Sequence, residues 1–137
     1  MAALTTDRAT ASRAGDKFKF DMAASVVARA GGIAVLDASG NVKPGVTATG
    51  LICAGMFTAE VDNSTGAAAA LQASVESGVF RFGNSAAGDA ITKAEIGDTC
   101  YIVDDQTVAK TDGTGARSAA GKIVDVDSAG VWVRMGL

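Results

Sequence analysis

The sequence predicts an all-β fold: a compact sandwich or barrel-like domain of short strands over residues 18–137, with at most one short helix, preceded by an extended N-terminal arm, residues 1–17. Three observations predict it. Apolar runs are short and separated by turn residues at a spacing of roughly 8–12 residues, the pattern of sandwiches and barrels. Seventeen glycines stand against one proline, which favours tight turns over long helices. Apolar residues recur at every second position in the clearest segments, such as "GVWVRM" near the C-terminus, where Val131, Val133 and Met135 share a face. At 137 residues and 48% hydrophobic, the chain can bury a real core. That core draws mostly on Ala and Val, so its layers should be thin.

The elements follow in order. Residues 1–17 are rich in Thr, Ala, Arg, Ser and Asp without a hydrophobic period, and read as an arm, either frayed or ordered against a neighbour. "FKF" at 18–20 alternates and starts a strand, whereas 22–30 is open between a helical turn and a strand. In "GIAVLDASGNVKPG", Ile33 and Val35 face one way and Ala34 and Leu36 the other, with turn chemistry at 37–41. Residues 51–61 read as one strand with Leu51, Cys53, Phe57 and Val61 on one face, closed by "DNSTG". In "ALQASVESGVFRF", Leu71, Ala73 and Val75 point inward, and the large residues change parity at Phe80 and Phe82. A β-bulge at Ser77–Gly78 would explain the change. "AITKAEIG" is a helical turn capped by Thr92 with Glu95 three residues on, stopped at Gly97. "TCYIVDDQTVAKT" is a strand, an acidic turn and a second strand, and "DGTGARSAAG" is a loop. The C-terminal hairpin turns at "DSAG", with Val124 and Val126 on one face and Val131, Val133 and Met135 on another.

Charge and composition bound the function. Fifteen acidic residues against twelve basic ones give a net charge of −3, which argues against general nucleic-acid binding. Histidine is absent, which removes Ser-His and Cys-His catalysis and the commonest zinc ligand. Cys53 and Cys100 sit in apolar runs and read as buried reduced thiols. They can form a disulfide only if their strands meet. The first twenty residues lack the apolar stretch of a secretory signal, and "MAASVVARAGGIAVL" is too short and interrupted to span a bilayer. The expectation is synthesis and use in a cytoplasm, with no membrane partner.

No motif brings chemistry with it. Gly83 and Gly88 have P-loop spacing, but Asp89 stands where the lysine belongs and would repel phosphate. A loop leaving a strand, with Asn84 and Gly88 in unusual backbone angles, is the alternative. "GTGARSAAG" has Ser118 in place of the third glycine of a dinucleotide loop and leads into a strand. Asp104, Asp105, Asp125 and Asp127 suggest a cation site or a carboxylate pair, but "DD" and "DVD" are equally turn chemistry. Trp132 points opposite Val131 and Val133, so it covers a sheet edge or meets another subunit.

Several segments together resemble one family. They are "GGIAVLDASGNVKPG", the "VDNSTG" turn, "GVFRFGNS", the strand pair "IGDTCYIVDDQTV" and the hairpin "SAAGKIVDVDSAGVWV". Most of the chain after the arm resembles the small capsid decoration, or cement, proteins of tailed bacteriophages and prophages, long known only as phage proteins of unknown function. The resemblance implies a β-rich homotrimer on the outside of a phage head, made in the bacterial host cytoplasm. There it clamps neighbouring subunits of a separate major capsid protein, with arms reaching across the shell. It implies no enzyme activity, no cofactor, no metal and no nucleic-acid partner. Arg8, Arg13 and Lys17 of the arm, with Trp132, are then the capsid or subunit contacts. A different virion component, such as a tail, baseplate or carbohydrate-binding module, is the alternative.

Overall fold

The computed structural model describes residues 2–13 and 15–137. Twelve strands account for nearly all its regular structure: β1 Lys17–Asp21, β2 Val26–Ala28, β3 Ile33–Leu36, β4 Val42–Pro44, β5 Ile52–Phe57, β6 Val61–Asn63, β7 Gln72–Glu76, β8 Gly78–Asn84, β9 Thr99–Ile102, β10 Thr107–Ala109, β11 Ala119–Asp127 and β12 Gly130–Met135. Two three-residue 3-10 turns, Ala87–Asp89 and Lys93–Glu95, are the helical content among the described residues. The all-β expectation holds, in a two-part form. β1, β7, β5, β3 and β4 make an open sheet in that order, β10, β8, β12, β11 and β9 close a small barrel, and β2 and β6 form a separate ribbon.

Each part has its own core, and β3 serves both. Ile33 and Val35 belong to the barrel core with Ile102, Val108, Ile123, Val131 and Val133, whereas Ala34 lies in a second core with Met22, Val42, Phe57, Ala73 and Val75. The predicted alternation of β3 is therefore correct, and both its faces are covered. Cys53 and Met56 of β5 also pack on the barrel, while Ala54 and Phe57 face the second core. The two halves are stitched by backbone as well: Ile33 N–H donates to the Asp105 carbonyl at 2.8 Å, and Val46 bridges Asp104.

Several expectations fail where strands are irregular. Residues 51–61 are two strands in different sheets, β5 and β6. Within β5 the register against β3 steps from Ala34–Gly55 to Val35–Cys53, so Ala54 is an extra residue and Cys53 and Phe57 face opposite ways. Gly55 has a φ of 135°, and a Cβ there would lie 2.2 Å from the Glu76 carbonyl oxygen, so the close approach of β7 requires glycine. The change of parity after Val75 is a change of sheet: β7 ends at Glu76 and β8 begins the barrel at Gly78. Ala73 and Val75 are buried as predicted, but Leu71 is 43% exposed because it precedes the strand. In β11 the register steps between Ile123 and Asp125, so Val124 is expelled outward and Ile123 joins Val126 inside. Residues 22–30 resolve to a bridge at Met22 and the strand β2. The Thr92 capping box, the turns at 37–41 and 127–130, and the β9–β10 pair are as predicted.

Candidate functional site

Residues 2–13 are exposed and carry neither strand nor helix. The ordered body begins where Ser77 N–H donates to the Asp16 carbonyl, 2.8 Å, and β1 zips onto β7. Lys17, assigned to the arm from sequence, is thus the first residue of an edge strand, β1 having β7 as its one neighbour in the sheet. Here Arg13 and Lys17 come together. They line a cleft of about 530 Å³ with Lys19, Thr58, Ser74 and Glu76. The register sets Lys17 opposite Glu76 and Lys19 opposite Ser74, so these four share one face of the sheet. Farther along the sheet, Met56 and Cys53 press that same side onto the barrel, but no residue of β1 or β7 belongs to the barrel core. The β1–β7 edge therefore overhangs as a polar shelf. Arg13, Lys17 and Lys19 take part in no ion pair among the described residues, so the shelf has an excess of positive charge on an acidic protein.

Arg8 and Trp132 lie elsewhere. Arg8 borders a shallow hollow made by the arm itself, with Leu4, Asp7 and Thr10. Trp132 is half-buried on the outer face of the barrel. Its indole N–H donates to Asp127 Oδ2 at 2.9 Å, and the Arg81 guanidinium stands 5.6 Å from the ring centroid. That indole bond, with the N–H groups of Ala129 and Gly130, holds the Asp127 carboxyl below the usual carboxylate range. Asp127 is therefore a turn residue that fixes the ring. The four aspartates singled out from sequence do not converge: Asp104 accepts from Gln106 N–H, Asp125 from Val126 N–H, and among the described residues no three acidic or thiol groups gather at one point.

The two glycine-rich motifs resolve as structure. Asn84 closes the loop after β8 with a two-way amide bond to Ile91: Nδ2 donates to its carbonyl and Oδ1 accepts from its N–H, both at 2.8 Å. The unusual backbone angle falls on Ala87, φ 54°, and not on Asn84 or Gly88. Asp89 accepts from the Thr111 hydroxyl and pairs with Arg117 at 3.2 Å, which keeps its carboxyl low. Nearby, Thr92 and Lys110 hold Glu95 down to about 2. Ser118 is buried and clamps the 48–51 segment to the barrel: its hydroxyl donates to the Ala48 carbonyl at 2.7 Å and accepts from Leu51 N–H at 3.1 Å. Both thiols are free, with burial pushing Cys53 up to about 11 and Cys100 to about 12.

Sequence reasoning missed Lys19, Arg81 and the pairing of Asp89 with Arg117. The alternation "KFKF" did carry the signal for Lys19, since it places Lys17 and Lys19 on one face. Arg81 and Trp132 meet through strand register, which no local pattern records. Among the described residues no helix is long and apolar enough to cross a membrane. No family model, curated protein or solved structure matches the chain.

Proposed function

We propose that this protein is a structural component of a phage head, a decoration protein that binds the outside of the shell, as a trimer, and clamps neighbouring major capsid protein subunits. It needs no catalytic group or cofactor for this task. The observation that carries the reading is the arrangement at one edge of the molecule: an exposed arm runs directly into an edge strand flanked by uncommitted cations. Such an edge suits attachment to a larger partner, because an arm that orders on binding adds contact area and three weak subunit contacts add through effective concentration. The resemblance of residues 31–136 to phage cement proteins points the same way. Trp132, fixed by Asp127 and Arg81, is the aromatic surface available for the subunit contact. Cryo-electron microscopy of heads assembled with and without the protein tests this: trimeric density on the outer surface supports it, and unchanged heads overturn it.

The same rigid indole favours one second reading, a carbohydrate-binding module on a virion, since a fixed aromatic ring is a surface for sugar stacking. Glycan-array binding that disappears in Trp132→Ala, from a protein that leaves heads bare, would establish that reading instead.

A further inference from the structure

We infer that β1 takes up an extended strand from its partner, a segment alternating acidic and apolar residues, which adds to the free edge of the sheet. The inference deepens the decoration reading and rests on it for the partner's being a protein.

The backbone supplies the first argument. Ser77 N–H donates to the Asp16 carbonyl and Met22 N–H donates to the Leu71 carbonyl. In an antiparallel pair, hydrogen-bonded and non-bonded positions alternate. The register Lys17–Glu76 through Asp21–Gln72 then turns the N–H and C=O groups of Phe18 and Phe20 toward β7. Those of Lys17 and Lys19 point away from the sheet, on a side that no strand occupies among the described residues, whereas the edge closes at its far end, where Met22 bridges Val42 of β4 and Ala23 N–H donates to the Val42 carbonyl. A row of unpaired, evenly spaced donors and acceptors is the template for strand addition.

The side chains set the composition of the incoming strand. On one face of β1, Lys17 and Lys19 border the cleft with Arg13, against the single carboxylate of Glu76. Strand residues lying over the cleft end of this face meet an excess of two positive charges, which carboxylates complement. On the other face Phe18 and Phe20 stack, centroids 5.9 Å apart, and remain half-buried. Alternate residues of the new strand lie beside these rings and are apolar. The one acidic side chain of β1, Asp21, ends the strand and already accepts from Gln72 Nε2 at 3.1 Å. A second copy pairing through its own β1 would match Lys17 with Asp21 but set Lys19 against Lys19, leaving both Lys19 side chains unneutralised.

The test uses the full chain and a ten-residue peptide alternating glutamate and valine, with a lysine–valine peptide as control. Amide hydrogen exchange by NMR reads the result. The glutamate peptide is expected to slow exchange at the Lys17 and Lys19 amides, and the control is not. Lys19→Glu should weaken binding by about 5- to 10-fold, an exposed charge contact being lost and reversed. Lys19→Pro removes only an outward N–H, which edge strands tolerate, and should abolish protection with an unchanged Tm. Binding without protection of those two amides, equal binding of both peptides, or no binding overturns the inference. So does protection in the chain alone that rises with concentration, which would assign the edge to a second copy. Attachment of Lys19→Pro to heads at wild-type strength would sink strand addition while leaving the decoration role intact. Bare heads with peptide binding preserved would do the reverse.

Discussion

At the scale of the residue, the buried polar groups are the most exacting feature of this chain. Asn63 is 2% exposed at the end of β6, and its Nδ2 donates to the carbonyls of Ala23 at 2.9 Å and Ala67 at 3.1 Å. It thus fastens the entrance of β2 to the loop that follows β6. The fit excludes a side chain at Gly66, where a Cβ would lie 1.9 Å from Asn63 Oδ1. Removing the amide leaves the Ala23 carbonyl without a donor, since Ala67 keeps Ala70 N–H, and a buried unsatisfied group costs about 1–3 kcal/mol. Asn63→Ala should therefore lower Tm by several degrees, and Asn63→Asp at least as much, since it loses both donors and buries a carboxyl. Thermal denaturation followed by circular dichroism reads both, and an Ala variant as stable as wild type would show that water replaces the amide. The sequence marked this residue as turn chemistry within "DNSTG", which is correct for its neighbours. Asp62 caps that turn through Ser64 N–H at 2.9 Å. What hid the role of Asn63 is that its partners are backbone groups 40 residues back and four residues on.

At the scale of the element, local chemistry was legible and register was not. Thr92 and Glu95 are three apart, so their reciprocal capping bonds are written in the sequence. The turn at 127–130 is likewise local, with Asp127 Oδ1 accepting from Ala129 and Gly130. The bulges at Ala54 and Val124 are different. Each inserts one residue because of what crosses it: β7 backbone at Gly55, and at Ile123 the 97–98 segment, which bonds its carbonyl and its N–H. Polarity alternation cannot register a neighbour that arrives from elsewhere in the chain. The chain's move from open sheet to barrel at Ser77 produced the same parity signal as a bulge, so the two were indistinguishable from sequence. The cleft was half legible for a related reason: Arg13 and Lys17 are near in sequence, whereas Ser74 and Glu76 reach them only through the β1–β7 register. The capped turn also carries a pH dependence. Glu95 is lowered to about 2, first by the Thr92 bonds and then by Lys110. A carboxyl lowered in the folded state adds stability above its unfolded pKa, and that contribution is lost as pH falls toward the folded value. Stability should therefore decline from about pH 4.5 down to about 2 through this group. Asp89 and Asp127, also lowered, add to the decline. Glu95→Gln should flatten the curve in that window, and urea denaturation at stepped pH measures it. An unaltered slope would mean the ionised carboxylate adds nothing to the turn.

At the scale of the whole molecule, one strand decides how the parts behave together. β3 places Ile33 and Val35 in the barrel core and Ala34 in the other, all three fully buried. Neither core can open without uncovering a face of β3, so sheet and barrel should melt as one unit. The arm is outside that unit, because residues 2–13 are exposed and the first bond between the segment preceding β1 and the β7 end is made at Asp16. Deleting residues 2–12 separates the two roles while retaining Arg13 and the cleft. The shortened protein should unfold at the wild-type temperature. Fluorescence of the single tryptophan, which sits in the barrel wall, should trace the same transition as far-ultraviolet circular dichroism, which reports both halves. Attachment to heads should weaken, since the contact area that the arm would add is gone while β1 remains. Co-sedimentation with heads over a concentration series measures that loss. A lower or split transition would place the arm within the fold, and attachment at full strength would assign the whole contact to the β1 edge.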